Sequence, residues 1–563
     1  MKSLLWKRSY VVIFLILMCC QPKRDQAEMA RELQSIDLRR GEITLCGTGQ
    51  AQFGKVDFGL SCQEQVRDNF NLATALLHSF EYEAAEKVFA KVIDADPECL
   101  MAYWGVAMSN FHPLWAPPTK EELEKGSKII RLARRQEAKS AIEKEYLEAV
   151  AALYDDWDKL DHATRLKKFE SAAETMYVQH PDDKEAAIFY ALALRAASDP
   201  TDKTFTKQKK AGDILMAMFP NEPDHPGIAH YIIHTYDYPE LASLALPAAR
   251  KYAAIAASSA HALHMPSHIF TRLGLWDESA QSNINSISAA RCYAESTGIR
   301  GHWDEELHGI DYLVYAYLQQ GRDESAKAQR QQLMGMEVAS LNSNKNAYTF
   351  AAVPTRYALE RKDWAEAAKL ELKPDNFQWE NFPWERSIVS FGKVLGAVHT
   401  KDKRTAAVAL AELKNNHASL LEKNKAYEAN QVMIQISAAE GWIAFSEGRH
   451  QEAVTLLTTA ADMEDATEKH PVTPGEVLPA RELLADLYMA LGSFDKALAA
   501  YASDLQRHPG RFNALYGAGQ AARQAGRSEI AAEYFKQLSA QVQHREINRP
   551  SVMAGESFLV LNR

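Results

Sequence analysis

The chain has 563 residues, of which 47% are hydrophobic and 25% charged. That is several times the roughly 100 to 200 residues of one domain, so the chain is multi-domain or built from repeats, and neither wholesale disorder nor a polytopic membrane protein fits. Lys and Arg number 64 against 74 Asp and Glu, a net charge of −10 that supplies no broad cationic surface for phosphates, so nucleic acid is not an expected partner. The 26 Gly, 21 Pro and 6 Cys exclude collagen-like, low-complexity and disulfide-scaffold classes.

Residues 1–20 place Lys2, Lys7 and Arg8 ahead of an apolar run from Val11 to Met18, followed by Cys19, Cys20 and a polar stretch from Gln21. This is the pattern of a secretory signal peptide. The run is well short of the roughly 20 residues of a membrane-spanning helix, and no later stretch reaches that length. Leu17-Met18-Cys19-Cys20 resembles the lipobox of bacterial lipoproteins, although Met18 and Cys19 depart from its small residues. The resemblance implies lipidation at Cys20 and a chain held by its lipid anchor alone in the bacterial cell envelope, at the outer membrane or the periplasmic face. The alternative is plain cleavage by a signal peptidase, and export follows on either reading. Residues 21–62 read as a tether and Gly-rich loop region. Export places Cys46, Cys62, Cys99 and Cys292 in an oxidising compartment where they can pair, with connectivity left open by the spacing and Cys62 favoured as one partner.

From Val66 onward Ala, Leu, Glu and Lys recur at helical spacing with short breaks, and no sustained two-residue alternation appears. An internal period of 34 residues is visible in SFEYEAAEKVFAKVIDADP ending at Pro97, in LGSFDKALAAYASDLQRHP ending at Pro509, and in the pair Gly492 and Gly526. This resembles the tetratricopeptide repeat (TPR), where a small residue at position 15 opens the turn, Ala at 20 lets two helices touch, and Pro at 32 stops the second helix. Gly492, Ala497 and Pro509 hold those places, while Phe80 departs from the small residue expected at position 15. The segments DPECLMAYWGVAM, HPGIAHYIIHTYD and HALHMPSHIFTRLG add a likeness to TPR proteins of the bacterial envelope, which implies a binding scaffold and names no reaction. The implied fold is all-α, a right-handed solenoid of helical hairpins with a concave groove, arranged as an N-terminal array over 63–342, a C-terminal array over 343–545 and a tail over 546–563. Pro266 and Pro354 fall inside first helices and are expected to bend them.

Eight of the 18 His lie between His225 and His308, where uniform scatter would put about 2.7. In the repeat that the chain resembles, first-helix positions 2, 5, 9, 12 and 13 face the groove. On that mapping His230, His264 and Asp311 share position 5, His234, His268 and Tyr315 share position 9, His261 and His308 share position 2, and Asp237 is at 12. His230 and His234 are four apart on one helix, and the next helix offers His264 and His268 in register, so four imidazoles are expected to converge. Such a nitrogen-rich set with Asp237 and Asp311 beside it suits zinc first, then copper or iron. The alternative is that these rings donate hydrogen bonds to a protein or peptide partner in a metal-free groove.

His78, His112 and Trp104 are expected to line a ligand groove, as is Tyr315, and Arg356 to hold a carboxylate there. Glu305 and Glu306, in HWDEELH beside the His cluster, are the general bases of a third reading, a metal-dependent hydrolase. No H-E-x-x-H, G-x-S-x-G, Walker lysine loop or dinucleotide glycine fingerprint occurs in the chain, so the expected role is a scaffold more than an enzyme.

Overall fold

The computed structural model describes residues 28–46, 52–114, 117–199, 202–546 and 549–561. Residues 1–20, with the signal pattern and Cys20, lie outside them. Among the described residues the regular elements are helices, accompanied by an isolated bridge between His302 and Val338. None of these helices is long and apolar enough to cross a membrane. The fold is an all-α array of helical hairpins, as the repeat pattern implies.

Two compact units emerge, one of Met1–Ile43 with Phe53–Tyr231 and one of Thr44–Gln52 with Ile232–Arg563. The division falls inside the Pro226–Tyr236 helix and not at the 342/343 boundary expected from the sequence. Residues 342 and 343 are interior to the second unit, where Asp304–Gln319 packs on Asn344–Glu360 and hairpin stacking runs on without a break.

In the first unit Arg67–His78 and Tyr82–Ala95 form a hairpin in which Ala85, fully buried, lets the two helices touch. The chain turns between them at Phe80, whose φ of 60° matches the 70° of Gly492 at the equivalent turn. The hairpin geometry demands a left-handed residue there, and a side chain pays about 1 kcal/mol to supply it. Phe80 offsets that cost by stacking on Tyr82 and packing at a tilt against His230, with ring centroids 5.3 and 4.3 Å away. The next helix, Leu100–Ser109, is buried along its whole length. A disulfide joins Cys99, just ahead of that helix, to Cys62.

In the second unit Pro266 divides one first helix into Ala260–His264 and Pro266–Arg272, because a proline cannot supply the amide that would continue the hydrogen-bond ladder. Pro354 lies inside Asn344–Glu360 without interrupting it. The hairpins continue through Phe512–Gln524, Ser528–Gln541 and Pro550–Leu561. These last helices return to the earlier part of the same unit. Trp276 Nε1 donates to the Gly510 carbonyl at 2.9 Å, Phe512 N–H donates to Gln319 Oε1 at 2.8 Å, and Arg549 pairs with Asp323. A second disulfide joins Cys46 to Cys292.

The first-helix face of this unit is not an open groove. Residues 466–479, between His450–Asp465 and Ala480–Ala490, have no regular structure and run across it. Pro471, Pro474 and Pro479 bar a helix there. Lys469 Nζ donates to Asp237 Oδ2 at 3.2 Å, Tyr312 Oη to the Thr473 carbonyl at 2.9 Å, and Arg356 Nη2 to the Gly475 carbonyl at 3.1 Å. The His470 ring lies 5.5 Å from Trp384 and 5.8 Å from Tyr427.

Candidate metal centre

Ser259 opens the Ala260–His264 helix by accepting the Ala262 N–H on its hydroxyl at 3.0 Å. His264 and His268 follow four residues apart on one face, on either side of the break at Pro266. Asp304–Gln319 brings His308, and Trp276–Thr297 brings Asn283. Each of His264, His268 and His308 offers a ring nitrogen within 4.8 Å of the others. All three rings are buried, and Tyr312 stands edge-on to His264 at 4.7 Å.

Proton positions follow from the partners. Asn283 Nδ2 donates to the Ser279 carbonyl at 2.8 Å, so its Oδ1 is the acceptor that His264 Nδ1 meets at 2.7 Å. His264 therefore carries its proton on Nδ1. His268 Nδ1 meets Asp237 Oδ2 at 3.0 Å, and Asp237 also receives Arg272 Nε at 2.9 Å and Lys469. Burial alone would raise the Asp237 carboxyl, yet Lys469 and Arg272 hold it well below the usual carboxylate range. It is an acceptor, and His268 carries its proton on Nδ1 as well. Both Nε2 atoms are then bare, and they face each other at 3.1 Å. Two lone pairs at that separation repel unless a cation lies between them. Two nitrogens bound to one tetrahedral zinc stand about 3.3 Å apart. Burial pushes the His264 and His308 imidazoles well below their ordinary values, with His268 adding to the effect on His264 and His264 to that on His308. Neutral imidazole is the form that binds metal.

The four-ring convergence expected of His230, His234, His264 and His268 is not what the fold builds. His230 donates from Nδ1 to the His78 carbonyl at 2.6 Å in the first unit. His234 and His261 stack in the second unit with centroids 6.2 Å apart. His264 and His268 turn instead toward His308 of the following hairpin. Asp311, expected as a ligand, is buried against the Arg356 guanidinium. Asp237, expected beside the set, accepts from His268 Nδ1 at 3.0 Å.

The expected groove residues are corrected by the packing. Trp104 is 2% exposed and lies among Phe58, Phe89, Tyr146 and Phe189 in the core. Tyr315 is buried between two guanidiniums, with Arg356 4.8 Å from its ring and Arg511 Nη1 donating to its hydroxyl at 2.9 Å. Arg356 is fully buried and holds Asp311 and the Gly475 carbonyl, not a ligand's carboxylate. His112 leans on Tyr82 and faces Glu122 at 3.7 Å. Glu305 pairs with Lys345, and Glu306 with Arg291 at 2.7 Å and His302 at 2.7 Å.

His78 belongs to a second buried cluster, in the first unit. Its Nε2 lies 2.9 Å from Glu185 Oε2, and His225 Nε2 lies 2.9 Å from Glu185 Oε1. His225 stands just before the Pro226–Tyr236 helix and accepts the Ile228 N–H on Nδ1 at 3.4 Å. The Tyr231 hydroxyl meets His78 Nδ1 at 2.9 Å. Burial would raise Glu185, but His78 and His225 hold it far below its ordinary range.

Asn283, Arg272 and Lys469 carry no mark in a motif search. Asn283 is nonetheless visible as a polar residue in the buried 276, 279, 280, 283, 286, 287, 290 stripe of its helix.

Residues 482–542 match the family model described as Tetratricopeptide repeat. No curated protein matches the chain. Among solved structures it is similar to the human IFIT1 dimer with m7Gppp-AAAA, at 14% identity over 86% of this chain and 96% of that one, with a TM-score of 0.34. It is also similar to the APC/C hetero-tetramer Cut9-Hcn1, at 13% identity over 88% of this chain and 96% of that one, with a TM-score of 0.25. The family match covers residues 482–542, and helical hairpins of the same kind recur through the other described residues.

Proposed function

We propose that this repeat protein holds a transition metal, zinc first and copper or iron next, on His264, His268 and His308. The scaffold around it is exported and carried by a lipid on Cys20 at the bacterial cell envelope. The tetratricopeptide-repeat match at 482–542 supports a protein-interaction scaffold, and the metal is a component of that scaffold. One observation carries the reading: two imidazoles whose tautomers are set by Asn283 and Asp237 aim bare Nε2 atoms at each other across 3.1 Å. The carboxylate and amide on the far nitrogens are the outer partners that metal-bound histidines use. Export rests on the pattern of residues 1–20 and is supported by the pairing of Cys46 with Cys292 and Cys62 with Cys99, which suits an oxidising compartment. The ion pairs of Glu305 with Lys345 and of Glu306 with Arg291 favour the scaffold over the hydrolase alternative. The metal-free alternative places a single shared proton between the two Nε2 atoms.

The test is elemental analysis of the mature chain with Cys20→Ser, purified without a His tag, beside a His264→Ala/His268→Ala variant. Near-stoichiometric metal in the parent, and its loss from a variant of unchanged helicity, is the expected result. A parent that takes up none after incubation with zinc, copper or nickel leaves the metal-free scaffold.

A further inference from the structure

Residues 466–479 lie where the open groove of the second unit was expected, and they reach the first helices of successive hairpins through side chains and carbonyls instead of a backbone ladder. Lys469 is on Asp237, the Thr473 carbonyl on Tyr312, and the Gly475 carbonyl on Arg356. Glu476 accepts His508 Nε2 at 3.0 Å, and the Tyr427 hydroxyl donates to the Glu468 carbonyl at 2.9 Å. Each is a contact that an extended peptide makes with a helical face. Two of them land on residues that themselves contact His268. Asp237 accepts from His268 Nδ1 and from Lys469 Nζ on the same oxygen, at 3.0 and 3.2 Å. The Tyr312 hydroxyl, 3.4 Å from His268 Nδ1, donates to Thr473.

From this we infer that residues 466–479 are an internal peptide ligand of the first-helix face, locked in place by the metal at His264, His268 and His308. The inference rests on the metal reading above. A cation on His268 Nε2 holds the ring in the orientation that keeps Nδ1–H on Asp237, and makes that N–H a stronger donor. Asp237 then stays where Lys469 needs it. Without the cation, the two Nε2 lone pairs at 3.1 Å drive one ring to turn. If His268 turns, Asp237 loses a partner and the Tyr312 hydroxyl loses its neighbour, so both anchors of the segment loosen together. The face it leaves offers Asp237 for a cation, the Arg356 guanidinium for carbonyls and the Trp384 and Tyr427 rings for an aromatic side chain, the groups that 466–479 engages now. Linkage makes the coupling reciprocal: the factor by which metal favours the seated segment is the factor by which seating raises metal affinity.

Hydrogen exchange read by mass spectrometry on the full mature chain, zinc-loaded against chelated, tests this, with zinc content measured on the same samples. Loss of protection across 466–479 on chelation, with Ala480–Ala490 and Phe512–Gln524 unchanged, is expected. Trypsin should then cut after Lys469, now 9% exposed, about tenfold faster or more. Lys469→Met leaves the three imidazoles in place and should expose the segment in the loaded protein while weakening zinc binding by about tenfold. Zinc that binds without changing protection of 466–479 overturns the lock and leaves the metal reading standing, as does a Lys469→Met variant of exposed segment and unaltered zinc affinity. Protection lost across the whole unit on chelation also overturns it, since the metal then holds the fold and not the segment. A chain that takes no zinc ends both.

Discussion

Each unit contains a buried trio within metal-ligand reach, and the two differ in where the protons sit. In the first unit Glu185 lies between His78 and His225, and all the hydrogen-bonding atoms between them have a use: Tyr231 on His78 Nδ1, the Ile228 amide on His225 Nδ1, and one imidazole N–H for each carboxylate oxygen. A cation there would have to displace the imidazole protons that face Glu185, and the Ile228 N–H on His225 Nδ1 leaves that ring no far nitrogen to take its proton back. In the second unit Asn283 and Asp237 draw the protons to the Nδ1 side, and the Nε2 atoms are left to each other. Both trios are buried and bring their ligand atoms within 4.8 Å, with a carboxylate between two imidazoles in the first and three imidazoles in the second. The acceptors on the far side of each ring decide which is a closed hydrogen-bond relay and which is a ligand set.

The strongest break of this contrast is by substitution of the rings. His264→Ala/His268→Ala should remove bound metal by about 100-fold in affinity or more, whereas His78→Ala/His225→Ala, which folds less stably, should keep the metal content of the parent. Equal loss in both, measured on helical protein, would erase the distinction. A finer cut leaves the ligands alone: Asn283→Leu takes away the acceptor on His264 Nδ1, lets the tautomer flip, and should weaken metal binding by about 10- to 100-fold in a competition titration. An Asn283→Leu chain that binds as tightly as the parent would show that the tautomer is not set from there. On the relay side Glu185→Gln keeps the shape but leaves two imidazole N–H groups facing a side chain that can accept only one, at a cost of about 2 kcal/mol in denaturant unfolding with the metal content intact. A metal loss from that variant would place the ligand set in the wrong unit.

The smallest effect is in pH. Glu185 is depressed in the folded state from an ordinary 4.5, and His78 is lowered by burial from 6.5. In both cases the unfolded chain binds the proton first, so these groups add stability as pH rises toward 6.5 and withdraw it progressively in acid. Stability of the first unit should therefore fall between pH 6.5 and 4 in the parent and fall less steeply in Glu185→Gln, a difference of about 1 kcal/mol across that window. Parallel slopes would mean that the relay is not what titrates.

Much of the fold is legible from pattern. The 34-residue period marks the hairpins, and Phe80, which breaks the small-residue rule, still occupies the left-handed turn that the rule describes. Part of the histidine group is legible too, since the i, i+4 spacing puts His264 and His268 on one face. What spacing misses is partner choice. Asp311 and Arg356, read as a ligand and a groove residue, neutralise one another in the interior, because two opposite charges that lose water together are held by their mutual attraction. Trp104 is read as a groove wall but belongs to a helix buried along its whole length.

By itself the sequence determined the helical periodicity, the breaks between hairpins, the small residues where helices touch and the enrichment of histidine in the middle of the chain. These are local properties, fixed by neighbours within a turn or a repeat. The tertiary structure decided that 466–479 folds back over the first-helix face, that Cys46 reaches Cys292, and that His264 and His268 meet His308 with Asn283 and Asp237 behind them. Those outcomes depend on which residues, tens or hundreds of positions apart, share one dry interior and must satisfy each other's hydrogen bonds there.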